Sequence, residues 1–329
     1  MPHHAQLLLL DRDAIAGLLT PAIALEAVST AFTLRGSDQG RIFPVVREAL
    51  ATGGVFGIKS GDVASRDLLG FKAAGFWPSN RELGGEPHQA TVILFDPATG
   101  RPRAILDGNA ITTVRTAAAG ELGLRTLARQ DSASVCVFGT GVQASAQLAA
   151  ALRALPSLRE ARYITRTGQP DENFAARYAA LGAPHCTLIH AADADAAVTA
   201  SDIVITATPA RGPLFSASAV RPGTHLNCVG ADTCGKRELP DGLLQRAQVV
   251  VDDQTQASAL GEMQWANGVA CIQLGQLLTG RTAFARAAGD ITVFDMTGLA
   301  LQDLVLGEYL EKAARRAGVG LSIPWPWQA

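Results

Sequence analysis

The chain has 329 residues, 48% of them hydrophobic and 18% charged, with a net charge of −2. This is the composition of a folded protein with a sizeable core, in two domains or one large one, and it excludes a disordered chain. The near-neutral charge excludes a broad positive field for nucleic acid or an anionic membrane.

In chain order, the apolar run 7–10 is cut off by Asp11 and is too short for a signal sequence. No run of eighteen apolar residues follows, so no membrane span is expected. Residues 21–35 have helical spacing, with Thr20 as N-cap and Pro21 at the first helical position. Strand-like runs at 41–47, 54–60, 70–77 and 90–95 are separated by Gly53-Gly54, Pro78-Ser79-Asn80 and Asp96-Pro97. They predict an antiparallel sheet or small barrel. An alanine- and leucine-rich helix spans 107–128.

Beyond it the rhythm changes. Strands at 134–138, 161–165, 186–190 and 202–206 alternate with helices at 141–154, 171–181 and 192–200. Further strands fall at 224–229, 248–252 and 291–294. Such alternation predicts parallel strands with crossover helices. A last helix, 300–317, stops before Gly318 and Gly320, and the proline-broken tail 323–329 is expected to pack on the first domain. The cysteines Cys136, Cys186, Cys228, Cys234 and Cys271 are odd in number and form no C-x-x-C pair. This argues against a disulfide framework or zinc site and for a reducing, cytoplasmic compartment.

Residues 134–148, SVCVFGTGVQASAQL, place Gly139-Thr140-Gly141 between a strand and a helix. Gly139 suits the tight turn, Gly141 the close approach of a pyrophosphate, and Ala144 close helix–strand packing. The candidate cofactor loop is therefore Gly139, Thr140, Gly141, Val142 and Gln143, at the positive end of a helix. Enzymes that choose NAD usually carry an acid at the end of the second strand. Here that strand ends in Thr165-Arg166-Thr167, while Asp171 and Glu172 read as the start of the next helix. Arg166 and Thr167 suit a 2′-phosphate, so NADP(H) is favoured over NAD(H).

The stretches FKAAGFWPSN (71–80), VRTAAAGELG (114–123), FGTGVQA (138–144), TATP (206–209), VGADTCGKREL (229–239) and FDMTGLALQDL (294–304) lie in one order along the chain. In them the chain resembles the ornithine cyclodeaminase/mu-crystallin family, which includes archaeal-type alanine dehydrogenases and imine reductases. The resemblance implies an α/β protein with a Rossmann dinucleotide-binding domain and a discontinuous α+β dimerisation and substrate domain. The substrate domain would be residues 1–118, with 300–329 returning to it, and the Rossmann domain 119–299. It also implies a homodimer joined through the sheets of the first domain, with the active site between domains.

Hydride transfer at an α-amino carbon needs cations for the α-carboxylate and a group that manages protons. Lys72 lies in an apolar run, where a lysine needs a partner, and Arg115 has few charged neighbours in its helix. By resemblance both contact the substrate carboxylate, Lys72 with a catalytic part as well, and Arg41 is the third contact. Asp232, just past a strand end, resembles the family's essential aspartate, a carboxylate desolvated beside the nicotinamide. Thr208, Thr297 and Gly298 would line the nicotinamide.

A true ornithine cyclodeaminase must hold a distal ammonium, which calls for an acid. Residues 54–60 contain none, and Lys59 has the wrong sign, although Glu48 could serve if it points inward; His88 is another polar candidate. The reading is therefore an imine reductase or amino-acid dehydrogenase for neutral or acidic side chains, with Lys59 permitting a second carboxylate. Ornithine cyclodeamination is the nearest rival. A non-catalytic, mu-crystallin-like ligand carrier is the rival from another class.

Overall fold

The structure, a computed structural model, describes residues 5–325. Its contacts divide the chain into two units, one made of residues up to Arg115 with those from Leu299 onward, the other of Thr116–Gly298.

The first unit opens with strand β1 (Ala5–Leu10) and helices α1 (Arg12–Leu18) and α2 (Pro21–Gly36). Both helices start on side-chain caps: Asp11 Oδ1 accepts from Ala14 N at 2.9 Å and Thr20 Oγ1 from Ile23 N at 3.2 Å. Six strands follow: β2 (Gly40–Ile42), β3 (Val46–Ala49), β4 (Val55–Val63), β5 (Leu68–Phe76), β6 (His88–Phe95) and β7 (Pro102–Asp107). Helix α3 (Gly108–Leu127) contains the boundary between units.

The second unit continues with β8 (Ser134–Phe138), α4 (Val142–Ala154), β9 (Glu160–Ile164), α5 (Glu172–Ala179), β10 (Thr187–His190), α6 (Ala194–Thr199) and β11 (Ile203–Thr206). After these come β12 (His225–Cys228), β13 (Ala247–Val251), α7 (Gln254–Leu260), β14 (Cys271–Gln273), α8 (Leu274–Leu278) and β15 (Ile291–Asp295). The chain then returns to the first unit with α9 (Ala300–Ala317) and β16 (Leu321–Trp325).

Of the two expectations for the first unit, the sheet is the one formed. Its order is β16-β1-β7-β6-β5-β4-β2, with β3 also paired to β4. Only β1 and β7 run parallel. The run expected as one strand over 41–47 is two, interrupted around Pro44, which has no N–H for a ladder. Strands β1 and β7 and helix α1 were not anticipated. The tail's described part, through Trp325, pairs with β1 as an edge strand, where Pro324 is tolerated; residues 326–329 lie outside the described residues.

One face of this sheet packs on α9. Side chains alternate along each strand, so Leu94, Val92, Leu106 and Leu8 turn to the same buried side. Gly61 and Gly70 pair on that face, and a Cβ at Gly70 would meet Leu304 Cδ2 at 2.8 Å, so these glycines let α9 come close. The helix ends at Gly318, in the left-handed region at φ 65°.

The second sheet is entirely parallel, in the order β10-β9-β8-β11-β12-β15-β13-β14. Its central strands are buried on both faces, which accounts for uninterrupted runs such as Ile203-Val204-Ile205. The chain winds outward from β8 to β10, then restarts at β11 on the other side. The switch point between β8 and β11 is where such sheets open a crevice at their carboxyl ends. Among the described residues no single helix is long and apolar enough to cross a membrane.

Candidate functional site

In the first unit a charged cluster is built on Asp303, in the first turn of α9 and fully buried. Lys72, on β5 and 4% exposed, places Nζ 3.0 Å from Asp303 Oδ1 and 2.9 Å from Oδ2. The same Nζ donates to Thr112 Oγ1 at 3.2 Å. Arg115, on α3, donates from Nε to Asp303 Oδ1 at 3.2 Å and from Nη1 to Gln302 Oε1 at 2.8 Å. Burial, with Arg115 beside it, lowers the Lys72 ammonium to about 7 despite the opposing pull of Asp303. Burial works to raise Asp303, but Arg115 and Lys72 outweigh it and hold the carboxyl below its usual range. Glu121, also on α3, pairs instead with Arg125 and Arg153.

Register places the remaining charged candidates. Lys59 stands directly opposite Lys72 across β4 and β5 and so shares its face. Arg47, opposite Gly57, lies on that face too; a Cβ at Gly57 would meet the Arg47 side chain at 3.3 Å. Arg41 does not join them. It pairs with Asp62, an odd number of residues from Lys59 along the unbroken β4, and therefore points to the other face. Its guanidinium is 71% exposed and makes a two-pronged ion pair with Asp62. The expectation for Arg41 is thus corrected, and Arg47 is the arginine positioned with the cluster. Glu48, opposite Phe56, also lies on the face away from Lys59. His88 Nδ1 is 3.0 Å from Asn109 Oδ1.

The second unit carries the glycine turn. Gly139 has φ 98°, and a Cβ there would meet the Ala207 carbonyl oxygen at 2.7 Å, so both conformation and space demand glycine. Gly141 caps α4 without a side-chain hydrogen bond, and nothing lies within 4 Å of where its Cβ would be. The chain at Gly141 is thus open to close approach, with Val142 61% exposed and Gln143 half-buried next to it, at the end of α4 where the first-turn N–H groups lack helical partners. The Thr140 carbonyl accepts from Arg177 Nη2 at 2.5 Å, which fixes the turn. This cradle fits a pyrophosphate. Past β9, Arg166 and Thr167 are exposed, and Asp171 is used as the cap of α5, accepting from Phe174 N at 2.9 Å.

Three strand ends carry the other candidates. Thr208 follows β11, and its N–H and hydroxyl both donate to Glu238 Oε1 at 2.7 Å. Thr297 and Gly298 follow β15 and are held by buried Asp252, which accepts from Thr297 N at 2.7 Å and Thr297 Oγ1 at 2.8 Å. Gln256 Nε2 adds a bond to the Gly298 carbonyl at 2.9 Å. Asp232 follows β12; its side chain is 41% exposed and receives Lys236 Nζ at 2.6 Å.

Sequence reading missed Asp303, Gln302, Arg47, Lys236, Glu238 and Asp252 in these clusters. Asp303 had a signal, the one acid in the largely apolar ALQDLVLG at a helix start. Arg47 had only an alternation that could not be phased without knowing where the strand breaks.

Comparison with known proteins agrees over nearly the whole chain. The model of the ornithine cyclodeaminase/mu-crystallin family matches residues 10–317. The iminosuccinate reductase of Paracoccus denitrificans is 33% identical over 326 residues, covering 96% of this chain and 99% of that protein. Its crystal structure in complex with NAD+ superposes with a TM-score of 0.88, at 32% identity, covering 97% of this chain and 99% of that one. An archaeal alanine dehydrogenase dimer with bound NAD gives a TM-score of 0.89 at 29% identity, covering 98% and 100%. The ketimine reductase mu-crystallin of Mus musculus is 32% identical over 299 residues, covering 90% of this chain and 91% of that protein. The chain belongs to the ornithine cyclodeaminase/mu-crystallin family.

Proposed function

We propose that the protein is an NAD(P)-dependent oxidoreductase that moves a hydride between the nicotinamide and the Cα of an amino acid or its imine. In the reductive direction it would act on imines of 2-oxo acids with neutral or acidic side chains. One observation carries this reading: Lys72 and Arg115, two cations, are buried together on the single carboxylate of Asp303. Two cations on one carboxylate leave positive charge for a substrate's α-carboxylate, which Arg115 can grip with its planar fork.

The reduced nicotinamide, when bound, supplies the hydride. Arg115 and Lys72 hold the α-carboxylate and so fix Cα. Asp232, with Lys236 on one oxygen, orients the imine nitrogen and passes it the proton that balances the hydride. Lys59, on the same face as Lys72, is suited to a second carboxylate. The relative named iminosuccinate reductase has a dicarboxylic imine as its substrate, which supports this choice. Cyclodeamination of ornithine would need an acid for the distal ammonium, and this face offers Lys59 and Arg47 instead. A passive carrier would have no use for a buried cation pair and a proton-handling aspartate.

Exposed Arg166 and Thr167, with no acid at 165–169, favour NADP(H), whereas three relatives with dinucleotide in their structures hold NAD, NAD+ or NADH. A cytoplasmic homodimer is proposed from the family. The sheet face away from α9 suits such an interface, since Leu69, Phe71, Ile93, Phe95 and Ile105 are only half-buried there.

The test follows NADPH and NADH absorbance separately, with ammonium or methylamine and pyruvate, glyoxylate, oxaloacetate or a cyclic imine. Cofactor consumption that requires the imine or both its precursors supports the reductase. Proline formed from L-ornithine without net cofactor change would replace it with the cyclodeaminase. Cofactor binding without turnover on any substrate would favour the carrier.

A further inference from the structure

Strands β11 and β12 share their last rung at Thr206 and Cys228. Two residues farther on, at Thr208 and Gly230, the side chain of Glu238 bridges the two strand ends. Its Oε1 accepts from the Thr208 N–H and hydroxyl, both at 2.7 Å, and its Oε2 accepts from the Gly230 N–H at 2.9 Å. The fit is close: a Cβ at Gly230 would lie 2.5 Å from Glu238 Oε1 and 2.2 Å from the Thr208 carbonyl oxygen. Glu238 is fully buried, and burial pushes its carboxyl up, against the pull of these donors. It is itself held, because its own N–H donates to Glu262 Oε1 at 2.7 Å.

The bridge reaches the candidate chemistry on both sides. The Thr208 methyl would stand 3.4 Å from a Cβ at Gly139, so Thr208 borders the dinucleotide turn. On the other side, the Asp232 N–H bonds to the Gly230 carbonyl at 3.1 Å, which ties the Asp232 loop to the same anchor. We propose that Glu238 is a positioning residue for the nicotinamide end of the coenzyme, acting through Thr208 and the Gly230–Asp232 loop. This rests on the dinucleotide-dependent reading above. A carboxylate suits the role because all three partners are donors and both its oxygens must accept.

The test is Glu238→Gln, of the same shape but with one acceptor oxygen and a donor where the other oxygen was. At least one bridge is lost whichever way the amide turns. Binding is read by NADPH and NADH fluorescence, and separately with ADP-ribose and 2′-phospho-ADP-ribose, which lack the nicotinamide. We expect reduced-coenzyme affinity to fall about tenfold, the scale of one hydrogen bond to a charged acceptor. Affinity for the ribose fragments should stay within about twofold of wild type. Equal weakening of both ligand sets, or no weakening of either, would show a merely structural residue and overturn the proposal. Thr208→Val, which removes one of the three bonds, should shift the same two affinities in the same sense by less, and decides the matter if E238Q does not fold. Wild-type protein that binds no reduced coenzyme would sink the dinucleotide reading itself, a result separate from normal wild-type binding with an unaffected E238Q.

Discussion

Lys59 and Lys72 face each other across neighbouring strands, two like charges at adjacent positions on one side of a sheet. Like charges directly opposite one another destabilise a ladder. Asp303, paired with Lys72 and held low by Lys59 as well, offsets that repulsion, and a substrate's second carboxylate would meet Lys59 on the same face. Lys59→Ala should raise the KM for an oxaloacetate-derived imine about tenfold, the value of one charge-assisted bond, and leave that for a pyruvate-derived imine nearly unchanged. Steady-state kinetics on the two substrates check this. Equal effects on both would remove the second-carboxylate role.

Asp303 is the single carboxylate between two buried cations, so its loss leaves both uncompensated. Breaking a buried ion pair from one side costs about 3 kcal/mol or more. Asp303→Asn should therefore lower the urea midpoint of the first unit's unfolding, read by circular dichroism. Adding Lys72→Met in the same chain should recover part of the loss. An unchanged midpoint in D303N would mean that the cluster is not structurally coupled.

The Lys72 ammonium, usually near 10.5, is lowered to about 7 by burial and by Arg115. The charged form that attracts a carboxylate is then lost as pH rises through about 7, so kcat/KM should fall across that range. A bound carboxylate favours the ammonium, so kcat alone should hold to higher pH. The effect on stability has the opposite sign. Between 7 and 10.5 the unfolded chain keeps a proton that the folded one has released, so this group's contribution to stability rises with pH in that window. Lys72→Arg, which stays charged, should flatten the fall in kcat/KM.

The strength of the local signal decided what the sequence revealed. The second sheet was legible because parallel strands buried on both faces read as apolar runs, as in Val135–Phe138 and Ile203–Thr206. The glycine turn was legible because backbone geometry at Gly139 leaves no other residue. Strand phase was not. Whether Arg41 or Arg47 faces α9 depends on where a strand breaks, and a shift of one residue exchanges the two faces. Nor were the buried carboxylates. Glu238, Asp252 and Asp303 act on backbone donors or cations brought near by the fold, and the sequence spacing of those groups says nothing about their meeting.

Arg166 lies two residues past the end of β9, the second strand of the parallel sheet in chain order, with no acid at 165–169, and it is exposed. An acid there would accept from the ribose hydroxyls of NAD and repel a 2′-phosphate; an arginine does the reverse. Arg166→Ala should therefore weaken NADPH binding about tenfold and leave NADH within about twofold, measured by fluorescence at fixed ionic strength. The salt dependence adds an independent check. Raising ionic strength should erode wild-type NADPH affinity more than that of R166A, because the lost contact is a partly screened charge pair at the surface. Equal affinities for the two coenzymes in wild type, unchanged in R166A, would assign the arginine to solvent and leave coenzyme choice to another part of the second unit.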